Sequence, residues 1–290
     1  MSYEIFTDSS CNLKEETIDE LGLKILPLTF LIDNQEHLGY LRGQKTDLCQ
    51  FYTMMRNGKI VTTSLPKMAN SKALIEKTLQ EGKDLLYLGF SSALSGTYEA
   101  TELICKSLAE KYPERKVICV ETKAAALGEG MLVYHAAKMA QAGKDIDTVA
   151  QWVEDNRAFA CHWFTVDDLM FLFRGGRVSR TSAYAGTLLK IKPILHVDDN
   201  GALIPMAKVK SRKKSIQALV EKMEELARED IKDQTIFISH GDCLEDAKYL
   251  QELITARFGC TNFYVNVLDP VIGAHAGPGT LALFFMGKHR

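Results

Sequence analysis

The sequence carries no excess of charge of either sign. Its 290 residues hold 35 lysines and arginines against 37 aspartates and glutamates, a formal net charge of −2. Gripping nucleic acid by its phosphates requires a basic face, so no nucleic-acid partner is expected. No stretch approaches the ~18 consecutive apolar residues of a membrane-spanning helix, so no stable membrane insertion is expected. The opening residues Met1 to Asp8 contain no basic segment leading into an apolar run, the mark of a secretory leader. The seven cysteines, at 11, 49, 105, 119, 161, 243 and 260, show neither a C-x-x-C pair nor a zinc spacing. They read as small apolar thiols of a reducing cytoplasm, the expected location. The seven histidines fall in no metal-like pattern, so neither metal nor cofactor is expected.

What is present is apolar material, 46% of residues, enough for a core and for an apolar cavity besides. In the first half, short apolar runs alternate with amphipathic stretches. Tyr3–Thr7, Lys24–Ile32, Asp84–Gly89 and Lys116–Glu121 read as strands. Glu15–Leu21, Asp47–Arg56, Lys72–Gln80, Thr97–Lys111, Gly130–Gln141 and Ile146–Asn156 read as helices. Alternation of this kind implies a parallel sheet with helices on its faces. The second half is mixed. Strands are expected at Phe159–Val166, Lys192–Val197, Ala202–Val209, Thr235–Ser239 and Asn262–Val267, with helices at Asp168–Phe173, Ser215–Arg228 and Glu245–Phe258. Asn200-Gly201 between two apolar runs is a hairpin signal. The expected architecture is therefore α/β in two domains. Residues 1–158 form a Rossmann-like parallel sheet flanked by helices, and residues 159–290 an α/β domain of mixed sheet with a hairpin.

Familiar catalytic signatures fail on inspection. Gly39-Tyr40-Leu41-Arg42-Gly43-Gln44-Lys45-Thr46 has the wrong spacing for a phosphate-binding loop. Gly89-Phe90-Ser91-Ser92-Ala93 lacks the second glycine of a nucleophile elbow. What remains is a set of hydroxyl-rich junctions: Thr7-Asp8-Ser9-Ser10-Cys11, Thr62-Thr63-Ser64-Leu65-Pro66 and Ser91 to Thr97. Singly, each is explained as a helix N-cap. Together, at strand-to-helix turns of one apparent sheet, they can form an anion site without lysine or arginine. Two further runs stand out. Gly273-Ala274-His275-Ala276-Gly277-Pro278-Gly279 surrounds a histidine with residues that permit close backbone approach. Arg174-Gly175-Gly176-Arg177 places two arginines across a diglycine turn, either as a solvated turn or as a docking point or lid.

Read in order, these segments resemble the DegV family. The motifs are Asp8 to Leu13, Thr63-Ser64-Leu65-Pro66, Ser92 to Tyr98, Arg174 to Ser179, Leu189 to Leu195 and His275-Ala276-Gly277-Pro278-Gly279. The resemblance implies a non-enzymatic lipid-binding protein of fatty acid metabolism and transport, holding one long-chain acid such as palmitate in a buried tunnel. It implies that Thr63 and Ser95 hold the carboxylate, with Ser64, Gly96 and His275 beside it. The domain from 159 onward would supply tunnel wall and the glycine-rich loop of His275. It also implies that a separate fatty acid kinase could receive the bound acid, with Arg174 and Arg177 as docking candidates. One departure is Ala126, where a serine precedes a G-x-G run in the family pattern. The competing reading is a small-anion hydrolase or phosphotransferase using Asp8, Ser95 and His275.

Overall fold

The computed structural model describes residues 2–44, 46–179 and 191–290. Leu189 and Lys190, which open one of the family-like motifs, lie outside the described residues, as does Lys45 of the rejected phosphate-loop run.

The first half builds a four-stranded sheet from β1 (Tyr3–Asp8), β2 (Lys24–Leu26), β6 (Asp84–Gly89) and β7 (Val117–Glu121). The order is β2-β1-β6-β7, and every pairing is parallel. In β6, Leu85, Leu86, Tyr87 and Leu88 are all buried, as expected of a strand covered on both faces. One cover comes from α3 (Met68–Gln80) and α4 (Thr97–Lys111), through Ile75, Leu79, Cys105 and Leu108. The other comes from α5 (Leu127–Gln141) and α6 (Ile146–Asn156). Helix α5 is buried nearly all round because it is also packed on the second large sheet.

That second sheet has six strands: β8 (Ala160–Thr165), β9 (Ile191–Val197), β10 (Leu203–Lys210), β11 (Ile236–His240), β12 (Phe263–Val267) and β13 (Leu281–Met286). Its order is β10-β9-β8-β13-β11-β12, antiparallel throughout except for β11 with β12. The expected hairpin joins β9 and β10, with Gly201 at φ 83° supplying the left-handed turn residue. Helices α8 (Arg212–Leu226) and α9 (Leu244–Phe258) cover the face away from α5.

Several expectations are corrected. Lys24–Ile32 is not one strand. Proline 27 has no N–H for a ladder, and the chain leaves the parallel sheet there. It continues as β3 (Thr29–Ile32) in a separate three-stranded antiparallel sheet with β4 (Gln35–Leu38) and β5 (Val61–Ser64), ordered β4-β3-β5. The β3–β4 connection is Asp33-Asn34, both at positive φ (52° and 63°), a two-residue hairpin turn. Thr63 therefore sits on an antiparallel strand, opposite Phe30, and not at a strand-to-helix turn of the parallel sheet. His275 is not on a loop. It lies in the last turn of α10 (Pro270–Ala276), which Asp269 caps and Pro270 opens, and which Gly277 ends at φ 81°.

Candidate functional site

A cavity of about 260 Å³ lies where the two large sheets, α10 and the small sheet approach one another. Its wall is mainly apolar, with Leu28, Phe90, Leu94, Phe164, Leu268 and Phe284 among its residues. The polar residues singled out in the sequence also line it: Thr63, Ser64, Ser95, Gly96 and His275.

Each reaches the cavity by a different route. Helix α10 packs on β3 and β5. That packing brings His275 to Thr63, and His275 Nε2 and Thr63 Oγ1 share a hydrogen bond of 2.8 Å across 212 residues of sequence. Ser95 stands in the turn between β6 and α4, where its N–H donates to the Ser91 carbonyl. Its hydroxyl lies 2.9 Å from Thr97 Oγ1 and accepts from the Thr97 N–H at 3.3 Å. Ser95 is thus helix-entry chemistry and cavity wall at once. Burial, then the positive charge of Arg177, pushes His275 down to about 4. Near neutral pH it is an uncharged imidazole, and its Nδ1 has no hydrogen-bond partner among the described residues. Gly175 explains the tight fit: a Cβ there would lie 2.2 Å from His275 Nδ1.

The two arginines are not equivalent. Arg174, after α7 (Met170–Arg174) turns out, is exposed, with its guanidinium 4.6 Å from the Phe171 ring centroid. Arg177 is half-buried in the cavity wall, where it donates from Nε to the Leu94 carbonyl at 2.9 Å and from Nη1 to the Gly175 carbonyl. Of the alternatives the sequence left open for this turn, a place against the cavity fits Arg177, and the solvated one fits Arg174. A second hollow of about 240 Å³ carries Lys59, Arg174 and Arg177, and shares Thr63 and His275 with the apolar cavity. The Thr63–His275 pair therefore stands between an apolar chamber and a cationic one.

The constellation of Asp8, Ser95 and His275 does not assemble. Asp8 accepts from the Phe90 N–H and the Ser10 N–H, both at 3.1 Å, from the Ser10 hydroxyl and, at 3.4 Å, from Tyr87. It is no partner of His275. Ser10 also reaches Glu129 at 2.8 Å, and Thr7 donates to the same carboxyl at 2.9 Å. Burial raises both Asp8 and Glu129, so this first hydroxyl-rich junction serves an acidic pair and not an anion. Ala126 also lines the cavity. It holds φ 51° and ψ −142° at the entry to α5, a strained backbone for a residue other than glycine. Among the described residues no three histidine, cysteine, aspartate or glutamate side chains come together as a metal site, and no helix is long and apolar enough to cross a membrane.

A sequence profile of the DegV family of uncharacterised proteins matches residues 2–288. The chain belongs to the DegV family. A DegV domain-containing protein of Clostridium perfringens is 42% identical over 98% of this chain and 97% of its own. Two solved DegV structures superpose closely. One, from Thermus thermophilus, is described as showing fatty acid binding of a DegV family protein (TM-score 0.85, 28% identity, covering 98% of this chain and 99% of that one). The other, from Bacillus subtilis, is described as DegV, a fatty acid binding protein (TM-score 0.81, 27% identity, 99% and 100% covered). The parallel first sheet and mixed second sheet are thus the DegV fold.

Proposed function

We propose that this protein binds one long-chain fatty acid in the apolar cavity, with its carboxylate at Thr63 and Ser95 and with Ser64, Gly96 and His275 around it. The observation that carries this reading is the cavity itself: apolar along most of its wall, with the Thr63–His275 pair and the hydroxyls of Ser64 and Ser95 also lining it. The descriptions of the Thermus and Bacillus proteins support it.

The energetics are consistent. An acid of about fifteen methylenes gains roughly 12 kcal/mol gross on burial, at about 0.8 kcal/mol each. Chain ordering and lost free motion offset part of that. Hydrogen bonds to a carboxylate add ~1.5–3 kcal/mol each. The tail dominates affinity, and the head group sets register. Neutral donors suffice for a buried carboxylate when several converge on it.

The reading extends to presentation of the acid to a separate kinase. Thr63 and His275 face both chambers, so a carboxylate held there is next to Lys59, Arg174 and Arg177, side chains suited to an incoming phosphoryl group or an acidic partner surface. In this reading the protein is a carrier and catalyses no step by itself. The division of labour follows a boundary near residue 158: every strand of the six-stranded sheet begins after it, and Thr63 and Ser95 precede it.

The deciding experiment is mild-denaturant extraction of the purified protein and mass spectrometry of what is released. A stoichiometric long-chain acid is the expected result. A protein that releases none and takes up neither palmitate nor oleate overturns the proposal.

A further inference from the structure

Resting on the fatty-acid reading, we propose that Arg290 is the positioning residue that fixes the part of the cavity wall meeting the acyl tail, and so sets the longest chain the protein accepts. Its side chain is buried and lies outside the cavity lining, so it acts through the segments it ties together.

Four backbone carbonyls from separate stretches of chain converge on this one guanidinium. Nε donates to Ala160 on β8 at 3.1 Å. Nη1 donates to Lys123, in the turn before α5, at 2.6 Å and to Asp198, in the β9–β10 hairpin, at 3.1 Å. Nη2 donates to Arg157, just ahead of β8, at 2.6 Å. All four of these partners are neutral. Burial lowers the group to about 10, so it is still charged near neutral pH. A buried cation contributes little net stability, because desolvation offsets its bonds. What it adds is geometry: a rigid planar fork of donors that holds several stretches of backbone at fixed distances.

Three of the tied segments are cavity wall. The turn supplies Ala125 and Ala126, the strands of the hairpin Val197 and Leu203, and β8 His162. None of them carries a group proposed for the carboxylate, so they are neighbours of the tail. The turn needs holding. Lys123 and Ala126 are both left-handed, at φ 52° and 51°, a conformation that residues other than glycine keep only when surrounding contacts fix it. Arg290 bonds to the Lys123 carbonyl itself and reaches the same turn by a second route. The Ala160 carbonyl also takes His162 Nδ1 at 2.8 Å, and His162 Nε2 accepts from the Ala125 N–H at 3.5 Å. The hairpin tip closes on the turn: a Cβ on Gly201 would fall 3.3 Å from Lys123 Cα, and the Ser91 hydroxyl donates to the Gly201 carbonyl at 2.8 Å. With Arg290 in place, turn and hairpin are held together and the wall stops a longer chain.

The test is titration of the intact protein with saturated acids from about eight carbons upward, for wild type, Arg290→Met, Arg290→Lys and Ile254→Ala. Arg290→Met keeps an unbranched stem and removes every donor. In wild type the affinity should peak at one length and fall beyond it. In Arg290→Met the penalty for the next longer even-numbered acid should shrink by about five-fold or more, while octanoate, too short to press on the wall, binds as before. Arg290→Lys keeps the charge without the fork and should show a smaller shift in the same direction. Ile254→Ala opens the core under α9, away from the cavity, so it should lower the melting temperature and leave the length profile in place. An unshifted profile in Arg290→Met overturns the proposal and leaves the fatty-acid reading standing, as does a profile that shifts equally in Ile254→Ala. If Arg290→Met does not fold, Arg290→Lys decides, and an unshifted profile there overturns the proposal. Failure of the wild type to bind any of the acids overturns the fatty-acid reading and this proposal with it.

Discussion

At the residue scale, the Thr63–His275 pair is the contact on which the proposed head-group geometry depends. Thr63 supplies one hydrogen bond to a carboxylate, so Thr63→Ala should weaken palmitate binding by roughly ten- to a hundred-fold. Calorimetric titration checks this, and unchanged affinity would remove Thr63 from the site. Gly175 offers a sharper probe. Its φ of −73° suits any residue, so Gly175→Ala introduces no backbone strain. Its new Cβ would instead press on His275 Nδ1 and turn the ring away from Thr63. Gly175→Ala should therefore lower affinity as Thr63→Ala does, and the double variant should fall well short of the sum, since both break one contact. Full additivity in that cycle would show that the ring does not act through Thr63. Thr63, Ser95 and His275 were legible in the sequence as motif residues. Their meeting was not, because more than two hundred residues separate Thr63 from His275, and nothing local encodes that distance.

At the scale of elements, long strongly patterned segments were readable and polar or interrupted ones were not. Helices Glu15–Leu21, Thr97–Lys111 and Ile146–Asn156 fall where their apolar spacing puts them. Strand β4 is Gln-Glu-His-Leu and exposed for most of its length, so it had no apolar signal to offer. Strand β13 and helix α10 share a glycine-rich approach that reads as loop. What makes α10 a helix is its start: Asp269 Oδ1 accepts from the N–H groups of Val271 at 2.7 Å and Ile272 at 3.2 Å. The second oxygen of that carboxyl is buried without a partner among the described residues. Burial accordingly raises Asp269 from 3.8 to about 7. Between those values the folded protein holds a proton that the unfolded chain has released. This contribution to stability is complete below the ordinary aspartate range and is lost as pH rises through about 7. Asp8 and Glu129 are raised by the same cause and act in the same direction. Asp269→Asn preserves an N-cap and cannot titrate, so its melting temperature relative to wild type should rise progressively from pH 4 to pH 7. Thermal melts across that range measure the difference, and parallel curves would show that Asp269 is charged in the folded state.

At the scale of the whole molecule, the question is which part of the ligand supplies the affinity. The cavity is closed in by elements from both halves of the chain: β5 and the Ser95 turn from one, β8, β13 and α10 from the other. A ligand lying along it touches both, so binding should stabilise the fold as a unit. At a hundred times its Kd, an acid should add about 2.7 kcal/mol, and the melting temperature should rise by roughly 5 °C or more. The stronger test varies the tail at constant head group. If burial of methylenes dominates, each additional carbon is worth about 0.8 kcal/mol, or roughly four-fold in Kd. A series of saturated acids from about eight carbons upward should therefore bind along a steep, nearly constant slope. That slope should end, and then reverse, at the length that fills the chamber, because extra carbons must either compress a packed wall or leave it. Thr63→Ala should shift the whole line without changing its slope, since the head group contributes a constant term. A flat series, with short and long acids binding alike, would place the affinity in the head group and return the site to the class of small-anion binders.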